Sequence, residues 1–439
     1  MQHTMATEGL HLRHNPPSAP TTVQPLSTEQ KKLEQHRKRD ALAHQPHPGG
    51  AIKHGTWAQA LRMFLFFLYF IGGCISISIT QVMGAPLYFY NKDWFYAWMA
   101  ITKQQFGILV TTMTHWWAPV KMRVSGDESV RGQLYQREDG TLVCDFPERL
   151  VLIANHQIYT DWVYLWWIAY TSRMHGHFYI ILKESIKYIP ILGTGMMFYG
   201  FIFLSRKWAT DQERFQYRLR KLSASHNGPM AGSSYLDPMW LLIFPEGTNL
   251  SDNGRVNSKK WADKNGMPDM QHTMLPRSTG LRFCLSELEK TVEYMYDCTV
   301  AYEGVPRGQF GQDLFTIRSS YFEGRPPKSV NMHWRRFAVK DIPTHDEKLF
   351  GDWLLKRWRE KDDLIEYYLE HDRFPADKGR TPAVTGANAL HGAGWIETEV
   401  KPTNPLEVLQ IFAPVAAFAL VVNVLMKFFA IIMRVLRIQ

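Results

Sequence analysis

The chain has 439 residues, 45% of them apolar and 13% aromatic, with a formal charge of +9. That length suits one large domain or two ordinary ones, and the apolar share suits a packed core. Its four cysteines include no C-x-x-C pair, which excludes a disulfide framework and a cysteine-rich zinc site. The positive charge fits an anionic partner: lipid headgroups, phosphorylated substrates or nucleic acid.

Residues 1–55 are rich in Pro, His, Gln and Thr and read as a disordered basic tail. Lys31, Lys32, Arg37, Lys38 and Arg39 suit contact with anionic lipid. His36, His44, His47 and His54 lack metal-site spacing, and the apolar segment begins too late for a secretory signal. Residues 56–120 read as a membrane anchor. Met63–Val82 carries no charge and is long enough to span a bilayer as a helix. Trp94–Val120 contains Lys103, Gln104 and Gln105 among four tryptophans, which suits an interfacial or re-entrant helix better than a clean span.

Residues 121–340 carry an α/β pattern. Strand-length apolar runs recur at Leu150–Ala154, Phe178–Leu182, Tyr199–Leu204, Leu241–Phe244, Cys298–Ala301 and Val330–Trp334. Helical stretches at Trp162–Tyr170 and Asp211–Leu222 lie between them, so a sheet with flanking helices follows. In the extension 341–375, residues 344–370 predict one amphipathic helix, with Thr344 and Glu347 as its capping box and Phe374-Pro375 closing it. Residues 376–402 read as a Gly/Ala/Thr-rich linker. The terminal segment 403–439 contains the uncharged run Val408–Met426, a second membrane candidate in which Pro414 and Asn423 leave a hairpin or in-plane helix open.

The residues that point to chemistry begin at Asn155-His156-Gln157-Ile158-Tyr159-Thr160-Asp161, directly after a buried-strand pattern. Histidine suits proton removal from a hydroxyl near neutral pH, and a carboxylate on its other ring nitrogen would fix the tautomer. Alone, the pattern reads more readily as a capping aspartate beside a loop histidine, because roughly one His-x4-Asp arises by chance in such a chain. Lys183 and Arg206 each close an apolar strand and together suggest a phosphate clamp. Phe244-Pro245-Glu246-Gly247-Thr248 places hydrogen-bonding groups at another strand tip. Leu275-Pro276-Arg277-Ser278-Thr279-Gly280 reads as a turn with an exposed cation.

Taken in order, Asn155–Asp161, Gly200–Arg206, Glu246–Thr248 and Pro276 resemble the four blocks of the glycerolipid (1-acylglycerol-3-phosphate type) acyltransferases. The resemblance covers about residues 120–340 and continues into the helix around Trp353–Leu364. It implies a mixed α/β sheet with flanking helices, plus N- and C-terminal membrane-embedded helices. It implies His156 as general base, Asp161 as its orienting group, and direct attack of a lysophospholipid hydroxyl on acyl-CoA. Arg206 would hold the acceptor phosphate, with Lys183 assisting, and Glu246, Gly247 and Thr248 would line the acceptor site. It implies no metal and no cofactor beyond acyl-CoA as co-substrate.

Many members that acylate lysophosphatidic acid read E-G-T-R. Here Asn249 follows Thr248, so the sequence looks more like the lysocardiolipin and lysophosphatidylinositol branch, and Asn249 joins the expected acceptor contacts. The expected reaction is remodelling of a headgroup-bearing anionic lysophospholipid, lysophosphatidylinositol first. Lysophosphatidic acid acylation, CoA-independent transacylation and a non-enzymatic basic membrane tether are the alternatives. No nucleic-acid motif is present. The expected location is the endoplasmic reticulum membrane, with the site facing the cytosol; oligomeric state stays open.

Overall fold

The computed structural model describes residues 46–232, 235–376 and 396–438. The strands among them are β1 Lys121–Gly126, β2 Leu134–Gln136, β3 Leu142–Cys144, β4 Arg149–Ala154, β5 Phe178–Lys183, β6 Ile202–Leu204, β7 Met239–Ile243, β8 Tyr294–Tyr302, β9 Ser329–Ala338 and β10 Ile396–Glu399. The main helices are α1 Thr56–Gly84, α2 Lys92–Trp117, α3 Asp161–Thr171, α4 Leu192–Phe198, α5 Trp208–Leu222, α6 Asp252–Lys264, α7 Ser278–Leu288, α8 Glu347–His371 and α9 Ala413–Ile438.

Eight strands form one mixed sheet in the order β10-β1-β9-β8-β4-β7-β5-β6, and β2 pairs with β3 apart from it. From β8 to β6 the neighbours are parallel, whereas β9 runs antiparallel to β8 and β10 antiparallel to β1. All six residues of β4 are buried. A central parallel strand is covered on both faces, so its sequence is a continuous apolar run. On one face Val151, Ile153, Leu241 and Ile243 pack with Phe215 of α5, Leu285 of α7, and Phe350, Leu354 and Trp358 of α8. On the other, Trp166 of α3 lies between Phe178 of β5 and Phe106 of α2, at ring distances of 5.4 and 5.2 Å.

Helices α1 and α2 fold back on each other. A side chain at Gly73 would meet Leu109, and one at Gly84 would meet Trp98, so both glycines permit the close approach. Arg62 donates to the Trp117 carbonyl and the Trp117 indole donates to the Arg62 carbonyl, which closes the opposite end of the pair. Lys103 and Gln105 of α2 face protein. Lys103 is buried over the Tyr179 ring at 3.3 Å, and Gln105 donates to the Gln410 carbonyl. Among the described residues, two helical segments are long and apolar enough to cross a membrane, Thr56–Tyr90 and Ala413–Leu436.

Several elements differ from the sequence reading. The run expected as a strand from Tyr199 is extended only over Ile202–Leu204, because Tyr199 caps α4 and Gly200 turns at φ +78°. Helix α8 starts at Glu347, and its cap is Asp346 rather than Thr344: the Asp346 carboxylate accepts the Leu349 N–H at 2.8 Å. Residues 46–55, expected within the tail, pack on the body through His47 to the Leu314 carbonyl and Lys53 N–H to the Glu323 carbonyl. Residues 1–45 and most of the expected linker, 377–395, lie outside the described residues. The linker's end forms β10 on the edge of β1. The last apolar segment is a 3-10 turn, Pro405–Ile411, followed by α9, with Pro414 in the first turn where no intrahelical N–H is needed.

Helix α8 is fastened to the sheet by a buried charge. Lys361 is fully buried, with its ammonium 2.5 Å from Asp297 Oδ1 and 2.7 Å from the Cys298 carbonyl. Arg335 reaches the other Asp297 oxygen at 2.6 Å. Removing one partner of a buried pair leaves an uncompensated charge. We expect Lys361→Met to lower unfolding stability by about 3–5 kcal/mol in detergent-solubilised protein. A variant that melts with the parent would show that this pair does not hold the helix.

Candidate active site

The chain leaves β4 toward β5 and β6, returns as β7 beside β4, then places β8 on the other side of β4. Such a switch point opens a crevice at the carboxyl ends of the strands, where α/β sheets take ligands. His156 lies just beyond β4, Arg206 beyond β6, and Glu246 to Asn249 beyond β7.

Asn155 fixes the end of β4. Its amide donates to the Val300 carbonyl at 2.9 Å and accepts the Val300 N–H at 2.8 Å. The chain then turns into α3, headed by Asp161. The Asp161 side chain is fully buried, and its Oδ2 accepts the backbone N–H groups of Gln157 at 2.6 Å and Ile158 at 3.0 Å. The same oxygen lies 2.7 Å from His156 Nδ1, and Tyr302 of β8 donates its hydroxyl to Oδ1. Asp161 therefore both caps the turn and pairs with the histidine. The His156 ring stacks on Phe244 at 4.2 Å, and Nε2 has no protein partner among the described residues. With Nδ1–H donated to a carboxylate, Nε2 is the basic nitrogen.

Arg206 is presented by a strained turn, at φ +68°. Buried Asp211 holds the turn by accepting the N–H groups of Ser205 and Lys207. The Arg206 guanidinium donates to the Gly247 carbonyl. Gly247 itself sits at φ +74°, a conformation that favours glycine. Asn249 donates to Gln312, and the Leu250 N–H is bonded to the His156 carbonyl at 2.7 Å. Thr248 and Asn249 are half-buried. Lys183 is exposed at the end of β5, paired in register with Leu204, on the same sheet edge as Arg206. Among the described residues it has no contact with the Gly247 loop.

The Glu246 side chain is buried, next to His156, Trp358 and Lys361. Among the described residues neither of its carboxyl oxygens has a partner at full hydrogen-bond geometry, although the His156 N–H and the Trp358 indole lie close. Burial raises its pKa well above the ordinary value, although the Lys361 charge, the His156 N–H and the Trp358 indole favour the ionised form. Helix α8 also reaches the site's rim. Asp362 accepts the N–H groups of Gln271, His272 and Thr273, and the His272 carbonyl accepts the Gln157 amide. The sequence reading missed Tyr302, Gln312 and Asp362. Among the described residues, no group of three His, Cys, Asp or Glu is arranged to hold a metal.

A carboxyl group whose folded pKa is raised contributes stability that is full below its unfolded value. That contribution is lost as pH rises through the folded value. We expect wild-type stability to fall more steeply than that of Glu246→Gln as pH rises above the ordinary carboxylate range, because glutamine cannot ionise. Parallel melting-temperature curves above that range would contradict the raised pKa of Glu246.

Residues 121–303 match the family described as Acyltransferase, and residues 320–395 match Acyltransferase C-terminus. An uncharacterized acyltransferase of Schizosaccharomyces pombe is 37% identical over 358 residues, 82% of this chain and 95% of the relative. The 2-acyl-1-lysophosphatidylinositol acyltransferase of Saccharomyces cerevisiae is 37% identical over 368 residues, 76% of this chain and 91% of that protein. Lysocardiolipin acyltransferase 1 of Mus musculus is 28% identical over 315 residues, 71% of this chain and 73% of its own length. With this coverage, and with a mixed sheet carrying the motif residues at its strand ends, the chain belongs to the glycerolipid acyltransferase family and is an O-acyltransferase.

Proposed function

We propose that this enzyme transfers an acyl chain from acyl-CoA to the free hydroxyl of a headgroup-bearing anionic lysophospholipid, lysophosphatidylinositol first. The observation that carries the mechanism is the 2.7 Å contact between His156 Nδ1 and the buried Asp161 carboxylate. His156 Nε2 removes the proton from the acceptor hydroxyl as its oxygen attacks the thioester carbonyl carbon. The C–S bond then breaks, and the CoA thiolate takes the proton back from the imidazolium. Asp161 stabilises that imidazolium without being protonated itself. The hydroxyl attacks the thioester directly, so no acyl-enzyme forms and no cofactor is needed.

Arg206 holds the acceptor phosphate, Gly247 lets the backbone approach it, and Thr248 and Asn249 face the headgroup. Asn249 offers an amide where a phosphate-monoester site would carry a cation, which favours a diester with a hydroxylated headgroup. The yeast relative named for lysophosphatidylinositol supports the same acceptor. The apolar helices anchor the enzyme in the endoplasmic reticulum membrane. The α1–α2 hairpin returns the chain to the side it entered from, which keeps the site on the cytosolic face with acyl-CoA.

The test is acyl transfer from labelled oleoyl-CoA into a panel of lysophospholipids by purified wild type and His156→Ala. Lysophosphatidylinositol should be the leading acceptor, and the variant should lose at least about 100-fold in kcat. Transfer confined to lysophosphatidic acid would reject the acceptor assignment. Transfer from a phospholipid donor without CoA would reject the donor.

A further inference from the structure

The turn at Leu275–Gly280 was expected to present a cation and nothing more. Its backbone is tied to the site, since the Arg277 N–H donates to the Pro245 carbonyl at 2.9 Å. Its side chain lies over Gly247. A Cβ built on that glycine would stand 3.4 Å from Arg277 Nε and 3.5 Å from Cδ and Cζ. Arg206 approaches the same residue from β6 and donates to its carbonyl. Two guanidinium groups thus converge on one glycine, and neither has a carboxylate partner among the described residues.

Like charges held together without a counter-ion are unfavourable, and Arg206 registers it. Burial first, and then the Arg277 charge, hold its pKa below the ordinary value. The loop between them, Glu246 to Asn249, offers no free charge, because Glu246 is buried. A guanidinium pair binds phosphate oxygens through several parallel N–H donors, which a single arginine already bonded to a carbonyl cannot match.

We propose that Arg277 joins Arg206 in a two-arginine clamp for a substrate phosphate group, that of the lysophospholipid acceptor. The inference rests on the lysophospholipid reading and adds the second cation of its phosphate site. Acyl-CoA also carries phosphates, so the two sources are separated kinetically. A Cβ on Gly247 would rest in ordinary van der Waals contact with Arg277, so the constraint on that glycine is its backbone angle.

The experiment uses full-length wild type, Arg277→Gln and Arg277→Lys in detergent, with the acceptor that wild type prefers, with monoacylglycerol as a phosphate-free acceptor, and with varied acyl-CoA. Loss of charge-assisted hydrogen bonds to the phosphate should raise the acceptor KM at least about ten-fold in Arg277→Gln. Lysine should restore part of it. The KM for acyl-CoA and any transfer to monoacylglycerol should stay within about two-fold. An acceptor KM unchanged in Arg277→Gln would overturn the clamp. A rise confined to acyl-CoA would overturn its assignment to the acceptor, and equal losses with both acceptors would reduce Arg277 to a structural role. Wild type that acylates no phosphate-bearing acceptor would end the underlying reading and the clamp with it.

Discussion

The site depends on one buried carboxylate. Asp161 carries a negative charge in a place with no water contact, a cost that only several donors can offset. It receives four: two backbone N–H groups from the turn it caps, the Tyr302 hydroxyl and His156 Nδ1. Each donor comes from a part that must be correctly placed. The turn follows β4, Tyr302 ends β8, and β8 is held to β4 through Asn155. The carboxylate that aims the histidine is therefore also what fixes the strand ends around it.

Around that centre, the remaining polar groups brace the loops. Helix α8, outside the strand region, places Lys361 under β8 and Asp362 on the backbone of the 271–273 loop. The C-terminal extension is thus part of the wall of the site. The same arrangement bears on the buried Glu246, whose pKa burial raises. Lys361 is already committed to Asp297, so it cannot fully compensate a second anion beside it. The N-terminal helix pair sets Lys103 against Tyr179 of the sheet and Gln105 against the Gln410 carbonyl, and leaves apolar residues of α1 exposed.

Much of this was legible in the sequence, where a local signal sufficed. β4, β5, β7 and α3 follow from apolar runs of the right length, because both faces of the central sheet are covered. His156, Asp161 and Arg206 were visible as ordered motifs at strand ends. β1 and β10 were not, since they are short strands of mixed polarity, β10 at the sheet edge and β1 beside it, that pair only through distant partners. Tyr302 was hidden inside a strand pattern, 141 residues from the carboxylate it serves. Arg277 looked like a turn residue because its meaning lies in proximity to Arg206, which no spacing encodes. The burial of Glu246 was not legible either, because a motif gives a residue's neighbours in sequence and not the exposure of its side chain.

The central claim is that the Asp161 charge drives proton transfer through His156, beyond shaping the turn. Asp161→Asn keeps an oxygen for the two backbone N–H groups and for the ring, removes the charge, and turns its amide N–H2 toward Tyr302, whose hydroxyl must then accept. Steady-state kinetics of this variant, with its fold verified by thermal unfolding, is the most direct measurement. The account predicts a fall in kcat of about 100-fold or more, with both KM values within about two-fold. A variant that folds normally and keeps kcat within a few-fold of the parent would contradict it and leave Asp161 as a cap alone.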